Sequence, residues 1–213
     1  MSAIIRAQLL PVYIISCASL FIGTAMATDL RGIDLPANAV KQAFSRLAQV
    51  KIYRIETKGS MGNTKIDSRI DAQFPDHFHI LNRGPNASEL ILTPDGSFAK
   101  TKAHSPWRAV PMSYQSIAES MGPKANENLL KSMRNVIFKG VAHCQGQAAN
   151  AAAKQYQFET DGGTDAKAPM RTTITIATAS GLPCRIRAQQ SDADIDTTAS
   201  YDYQSKFSIR VPK

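Results

Sequence analysis

Two histidines and three aspartates have the spacing that could do chemistry. His77 and His79 stand two apart in the run HFHILN, so an extended backbone puts both imidazoles on one face. Such a pair is half a metal site, but no cysteine or third histidine lies nearby, and a solvent-facing pair beside a turn fits better. Asp192, Asp194 and Asp196 alternate in the same way and could approach Ca²⁺. They lack the glycine and distal glutamate of a calcium loop and read as an acidic loop or exposed strand edge. There is no Gly-x-Ser-x-Gly elbow, no His-Glu-x-x-His, no phosphate-binding loop and no Gly-rich dinucleotide fingerprint. No catalytic residue, metal or cofactor is therefore expected, and an envelope hydrolase is the weakest functional class.

The cysteines carry the remaining chemistry. Met1 to Arg6 is a short basic start, Ala7 to Ala25 holds no charge, and Ala25-Met26-Ala27 offers small residues where a signal peptidase reads. The expectation is a signal peptide over 1–27, cleaved near Ala27, and a periplasmic or secreted mature chain. Pro11 and the lack of a basic stop after the run speak against a permanent transmembrane anchor. Ile14-Ile15-Ser16-Cys17 has a lipobox shape that would anchor the chain through Cys17, but the apolar continuation to Ala27 favours an incidental cysteine within the signal. Cleavage leaves Cys144 and Cys184, which an oxidising compartment would join as a structural disulfide.

Residues 28–213 suit a single domain. At 43% hydrophobic and 20% charged the chain can bury a core. The formal net charge of +8 is spread without a block of like charges. That distribution suggests no nucleic-acid partner, although association with an anionic envelope membrane surface fits.

Those residues need elements to hold them. Pro36 opens a helix in which Val40, Phe44, Leu47 and Ala48 repeat at helical spacing. The period then becomes two. Lys51 to Lys58 and Thr64 to Phe74 flank a Gly59–Asn63 turn, and the second strand alternates Ile66, Ser68, Ile70, Ala72 and Phe74 with Lys65, Asp67, Arg69 and Asp71. His77 to Asn82, Ser88 to Thr93, Ser97 to Lys102 and Trp107 to Met112 follow, with Pro94-Asp95-Gly96 as a hairpin signal. The lone Trp107 reads as a plug at the end of the sheet. Ser113 to Met121 and Lys124 to Val136 are helix-compatible around Gly122-Pro123. Strands resume at Ile137 to His143, Lys154 to Glu159, Arg171 to Thr178, Arg185 to Gln190 and Thr197 to Tyr203, with a loop over Asp161 to Pro169. Short turns between sequential strands require antiparallel pairing.

Several of these pieces, in this order, resemble the bacterial lipoprotein carrier superfamily, the LolA-like and LppX-like fold. They are the N-terminal helix running straight into a meander, Glu89 to Phe98 (ELILTPDGSF) leading to Ser105-Pro106-Trp107, and Tyr156-Gln157-Phe158 followed by Ile174-Thr175-Ile176 and Gly181-Leu182-Pro183. Tyr201 to Pro212 resembles the closing segment. The resemblance implies an α+β fold: a strongly curved, unclosed antiparallel β-barrel, a half-barrel, wrapped around the N-terminal helix and the mid-chain helical insertion. It also implies an apolar cavity for a lipid, a lipoprotein acyl chain or another hydrophobic ligand, in a monomer. The family's latching arginine has two candidates on suitable strands, Arg54 and Arg69.

Candidate cavity residues are Ile66, Ile70, Phe74, Phe78, Ile80, Leu90, Leu92, Phe98, Met112, Met121, Leu130 and Met133. Unbranched methionines suit a surface that must adapt to its guest. The same residues could equally pack on one another as an ordinary core. An envelope protein–protein interaction module with a packed core and no ligand is the alternative function.

Overall fold

A computed structural model describes residues 35–84, 87–101, 105–144, 151–161 and 168–212. The expected signal peptide and Cys17 lie outside the described residues, as do most of the 161–169 loop and parts of the turns near 85 and 103.

Helix α1 (Pro36–Leu47) begins with proline in its first turn, where the missing N–H costs nothing. Its buried stripe is Val40, Ala43, Phe44 and Leu47. Six strands then meander: β1 (Ile52–Met61), β2 (Thr64–Gln73), β3 (His77–Asn82), β4 (Ser88–Thr93), β5 (Gly96–Lys100) and the two-residue β6 (Arg108–Ala109). Helices α2 (Tyr114–Met121) and α3 (Pro123–Ser132) come next. The Ser113 side chain caps α2 by accepting from the Gln115 N–H at 3.1 Å. Gly122 and Pro123 separate the two helices. A Cβ at Gly122 would lie 2.4 Å from the Ala118 carbonyl oxygen, so the tight joint requires glycine. A second meander follows: β7 (Arg134–Cys144), β8 (Ala151–Thr160), β9 (Met170–Ala177), β10 (Pro183–Gln190) and β11 (Ile195–Asp202).

All eleven strands form one antiparallel sheet in the order β6-β5-β4-β3-β2-β1-β11-β10-β9-β8-β7. The two meanders join only where β1 pairs with β11, with Arg54 opposite Asp202 and Ile55 opposite Tyr201. The sheet does not close: β6 and β7 are its edges, and α2 and α3 connect one edge to the other. This is the α+β half-barrel expected. α1 packs against β7 and β10, α2 against β3, and α3 against β8 and α1.

Several boundaries shift by up to three residues from the sequence reading, one helix end moves by four, and one strand loses four residues. The second mid-chain helix ends at Ser132, not Val136, because Met133 is already extended and β7 starts at Arg134. β-branched Val136 and Ile137 fit that strand better than a helix end. The Trp107–Met112 strand shrinks to Arg108–Ala109, although the Val110 N–H still donates to the Ser97 carbonyl at 2.9 Å.

Candidate functional site

The inner face of the sheet, under the three helices, carries the main core. Tyr53 and Ile55 of β1, Ile70 and Ala72 of β2, Phe78 and Ile80 of β3, and Leu92 of β4 are buried there. From the second meander come Tyr156, Phe158, Ile174, Ile176 and Tyr201. Of the twelve predicted cavity residues, Ile70, Phe78, Ile80 and Leu92 belong to this core, and Phe74, Leu90, Met112, Met121, Leu130 and Met133 pack against it half-buried. Ile66 is buried on the same face of β2 but outside that cluster. Phe98 is a correction. The Thr93–Gly96 pairing of the β4–β5 turn sets Ser97 opposite inward Leu92 and Phe98 opposite Ile91, so Phe98 lies on the outer face.

The helices cover this face unequally. α1 is seated tightly: Val40, Ala43, Phe44 and Leu47 are all buried, and Arg46 Nη1 donates to the Ser180 carbonyl at 2.8 Å, fastening the helix to the β9–β10 turn. α2, over β3, and α3, over β8 and beside α1, bury Ile117 and Ala125, while Met121, Leu129 and Leu130 remain partly accessible, as do flanking Met112 and Met133. Aromatic rings line the inner face nearby. Tyr53 stacks on Phe74 at 5.6 Å between centroids, Phe74 meets Phe78 edge-on at 5.3 Å, and Tyr201 stacks on Tyr203 at 6.1 Å. Burial drives the phenols of Tyr53, Tyr201 and Tyr203 well above the usual tyrosine range, so they stay neutral.

The outer face carries a chain of charges across β1 to β5. Arg54 Nε lies 2.5 Å from Asp71 Oδ1, His79 Nδ1 3.8 Å from Asp71 Oδ2, His79 Nε2 2.7 Å from Glu89 Oε1, and Lys100 Nζ 2.6 Å from Glu89 Oε2. Lys100 Nζ then sits 4.7 Å from the centre of the Trp107 ring. Asp71 is only 4% exposed, and burial pushes its carboxyl up; hydrogen bonds from His79 and Arg54 and the charges of Arg69 and Arg54 outweigh this and hold it at about 2. Two expectations change here. Arg54 and Arg69 pair with Asp71 on the face away from the helices, so neither reaches the interior. His79 is not a solvent-facing partner of His77 but a half-buried link between two carboxylates.

Farther along the same outer face the sheet folds into a groove of about 810 Å³. Its floor is two rungs of paired residues, Glu56–Ser200–Arg185–Thr175–Gln155 and Lys58–Thr198–Arg187–Thr173. The expected disulfide is formed, with Cys144 and Cys184 Cα atoms 5.7 Å apart. It joins β7 to β10 although β8 and β9 lie between them in the sheet. Two flat strands would separate those positions by roughly 14 Å. Ala153 of β8 and Ala177 of β9, both buried beside the disulfide, have side chains small enough for the outer ends to curl together over them.

Asp196 of the acidic triplet is held by Arg187, Nη2 to Oδ2 at 2.6 Å, and Asp192 accepts from the Ala168 N–H at 2.9 Å. Among the described residues no group of three metal-ligating side chains converges. No described helix is long and apolar enough to cross a membrane. Neither the outer-face chain nor the groove was foreseen: alternation in β2 identifies charged positions of the chain without saying which strand faces them, and the groove is assembled from β1 and β8 to β11.

No protein-family model matches the chain, and no curated protein matches it. Among solved structures it is similar to a chain of the MucA/MucB complex of Pseudomonas aeruginosa, with 7% identity and a TM-score of 0.45, over 78% of this chain and 55% of that one. It therefore spans little more than half the length of that structure. A conserved protein of Thermus thermophilus is 9% identical with a TM-score of 0.45, covering 83% and 93% of the two chains. A LolA superfamily protein of Nitrosomonas europaea is 8% identical with a TM-score of 0.34, covering 83% and 94%.

Proposed function

We propose that the chain is an exported, non-enzymatic binding protein of the periplasm or cell exterior. Between the curved sheet and the α2–α3 pair it takes up the apolar part of a lipid, a lipoprotein acyl chain or another hydrophobic ligand. The contrast between the two covers carries this reading. α1 buries Val40, Phe44 and Leu47 against the sheet, whereas Met112, Met121, Leu129, Leu130 and Met133, on and beside α2 and α3, stop half-buried. A cover built from methionine and leucine, and separated by a glycine–proline joint, shifts at low cost because unbranched side chains repack easily. A guest that completes their burial would gain about 25 cal/mol for each Å² withdrawn from water, before association costs.

The test is native mass spectrometry of protein taken from its own envelope fraction, with titration of the mature protein by 1-anilinonaphthalene-8-sulfonate. Co-purifying lipid that the dye displaces supports the carrier. A clean apo mass with no dye uptake ends it.

One observation favours the alternative, a module that docks another envelope protein. Edge strand β7 exposes Ile137 at 48%, Phe138 at 49% and Val141 at 79%. Apolar residues on an unpaired strand edge suit a partner strand. Complex formation abolished by Val141→Lys, with dye binding absent, would move the assignment there.

A further inference from the structure

We propose that the outer-face groove is a second binding site, for an anionic saccharide. It is distinct from the apolar seam and lies on the opposite side of the sheet. A polar sheet face is ordinarily a flat, solvated surface, but this one is concave for structural reasons that can be named. The Cys144–Cys184 bond draws β7 toward β10 over Ala153 and Ala177. At the other flank Gly59, with φ of +149°, brings β1 so close that a Cβ would lie 2.0 Å from the Asp196 carbonyl oxygen. The resulting volume of about 810 Å³ falls within the range of ligand clefts.

The lining decides the chemistry. It contains no aromatic ring and no aliphatic side chain larger than a threonine methyl, so an apolar guest or a nucleobase finds nothing to stack on. Hydroxyl and amide groups of Gln155 on β8, Thr173 on β9, and Thr198 and Ser200 on β11, in a sheet whose strands are spaced roughly 4.8 Å apart, offer donors and acceptors to a ligand bearing many hydroxyls. The charges give the sign. The two carboxylates in the groove are already engaged, Glu56 by Arg83 Nη2 at 3.2 Å and Asp196 by Arg187 Nη2 at 2.6 Å. Among the described residues no carboxylate pairs with Lys58 or Arg185, which stand on different strands of the groove floor. Two uncommitted cations above a hydroxyl-rich floor recognise carboxylate or phosphate groups carried on sugars. The chain's net charge of +8 would assist their approach. Such a ligand exists free in solution or as the headgroup of an anionic glycolipid.

The oxidised mature protein is titrated calorimetrically with tetragalacturonate, with neutral maltotetraose and with inorganic pyrophosphate, and mixed with vesicles containing lipopolysaccharide or phosphatidylcholine alone. Tetragalacturonate or the lipopolysaccharide vesicles are expected to bind, the first identifying a free source and the second a membrane-held one. Arg185→Ala and Lys58→Ala, both on exposed side chains, should each weaken that binding about tenfold, the equivalent of one charge-assisted hydrogen bond, with Arg185→Lys losing less. Uptake of 1-anilinonaphthalene-8-sulfonate should not change in these variants, which separates this site from the apolar one. The proposal is overturned if neither anionic saccharide source binds, if maltotetraose or pyrophosphate binds as tightly, or if the two alanine variants leave affinity unchanged.

Discussion

Arg54 and Asp71 face each other across β1 and β2 as a two-pronged pair, Nε to Oδ1 at 2.5 Å and Nη2 to Oδ2 at 3.1 Å. Nη1 of the same guanidinium donates to Ser205 Oγ at 3.3 Å, and its carbon lies 5.5 Å from the centre of the Phe207 ring. One arginine thus ties the first meander to the C-terminal tail beyond β11.

This pair makes the fold acid-sensitive. Asp71 titrates near 2 in the folded protein and near 3.8 when unfolded, so the stability it contributes is complete above about pH 4 and is lost as pH falls through 2. Asp71→Asn should lower unfolding free energy at pH 7 by about 2 kcal/mol and flatten the pH dependence between 4 and 2. Urea titrations at stepped pH measure both effects.

The disulfide closes a 40-residue separation, and on the chain-entropy model its loss costs about 4 kcal/mol. The double variant Cys144→Ala/Cys184→Ala should therefore unfold at lower urea. Because the bond also holds the groove in shape, the variant should show backbone amide shifts at Thr175 and Arg185 larger than those on β3.

Gly59 and Gly62 stand three residues apart, yet alanine should treat them differently. At Gly59 the new Cβ meets backbone at 2.0 Å, and a loss of about 3 kcal/mol is expected; at Gly62, with φ of +55° and open space, about 1 kcal/mol. Equal midpoints in thermal melts of the two variants would contradict the close approach of β1 to β11.

The unequal covers predict unequal mutants. Phe78→Ala removes a fully buried ring and should cost about 4 kcal/mol. Met121→Ala, at a half-buried position, should cost about 1 kcal/mol and raise affinity for the hydrophobic dye by widening the seam. Chemical unfolding and dye titration of both proteins read out the difference.

Much of this was legible in the residues themselves. The alternation of Ile66, Ile70 and Ala72 with Asp67, Arg69 and Asp71 assigned both faces of β2, and Gly122-Pro123 marked the helix joint. Phe98 shows where local pattern fails. Its size suggests an inward position, but the two-residue Pro94–Asp95 turn fixes the register, and register gave the inner place to Ser97. Arg69 shares the outer face of β2 with Asp71 by the same alternation, whereas the meeting of Arg54 with Asp71 is a pairing between strands and not a motif. The pairing of β1 with β11 spans most of the chain, and no short signal announces a partner so distant.

That pairing also governs when the molecule can become whole. Ile55 meets Tyr201 only after the last strand exists, so a chain emerging head-first holds two half-sheets that share no seam. Arg46, made early, must likewise wait for Ser180 before its helix is pinned. The one sheet is thus completed only after both ends of the chain are present.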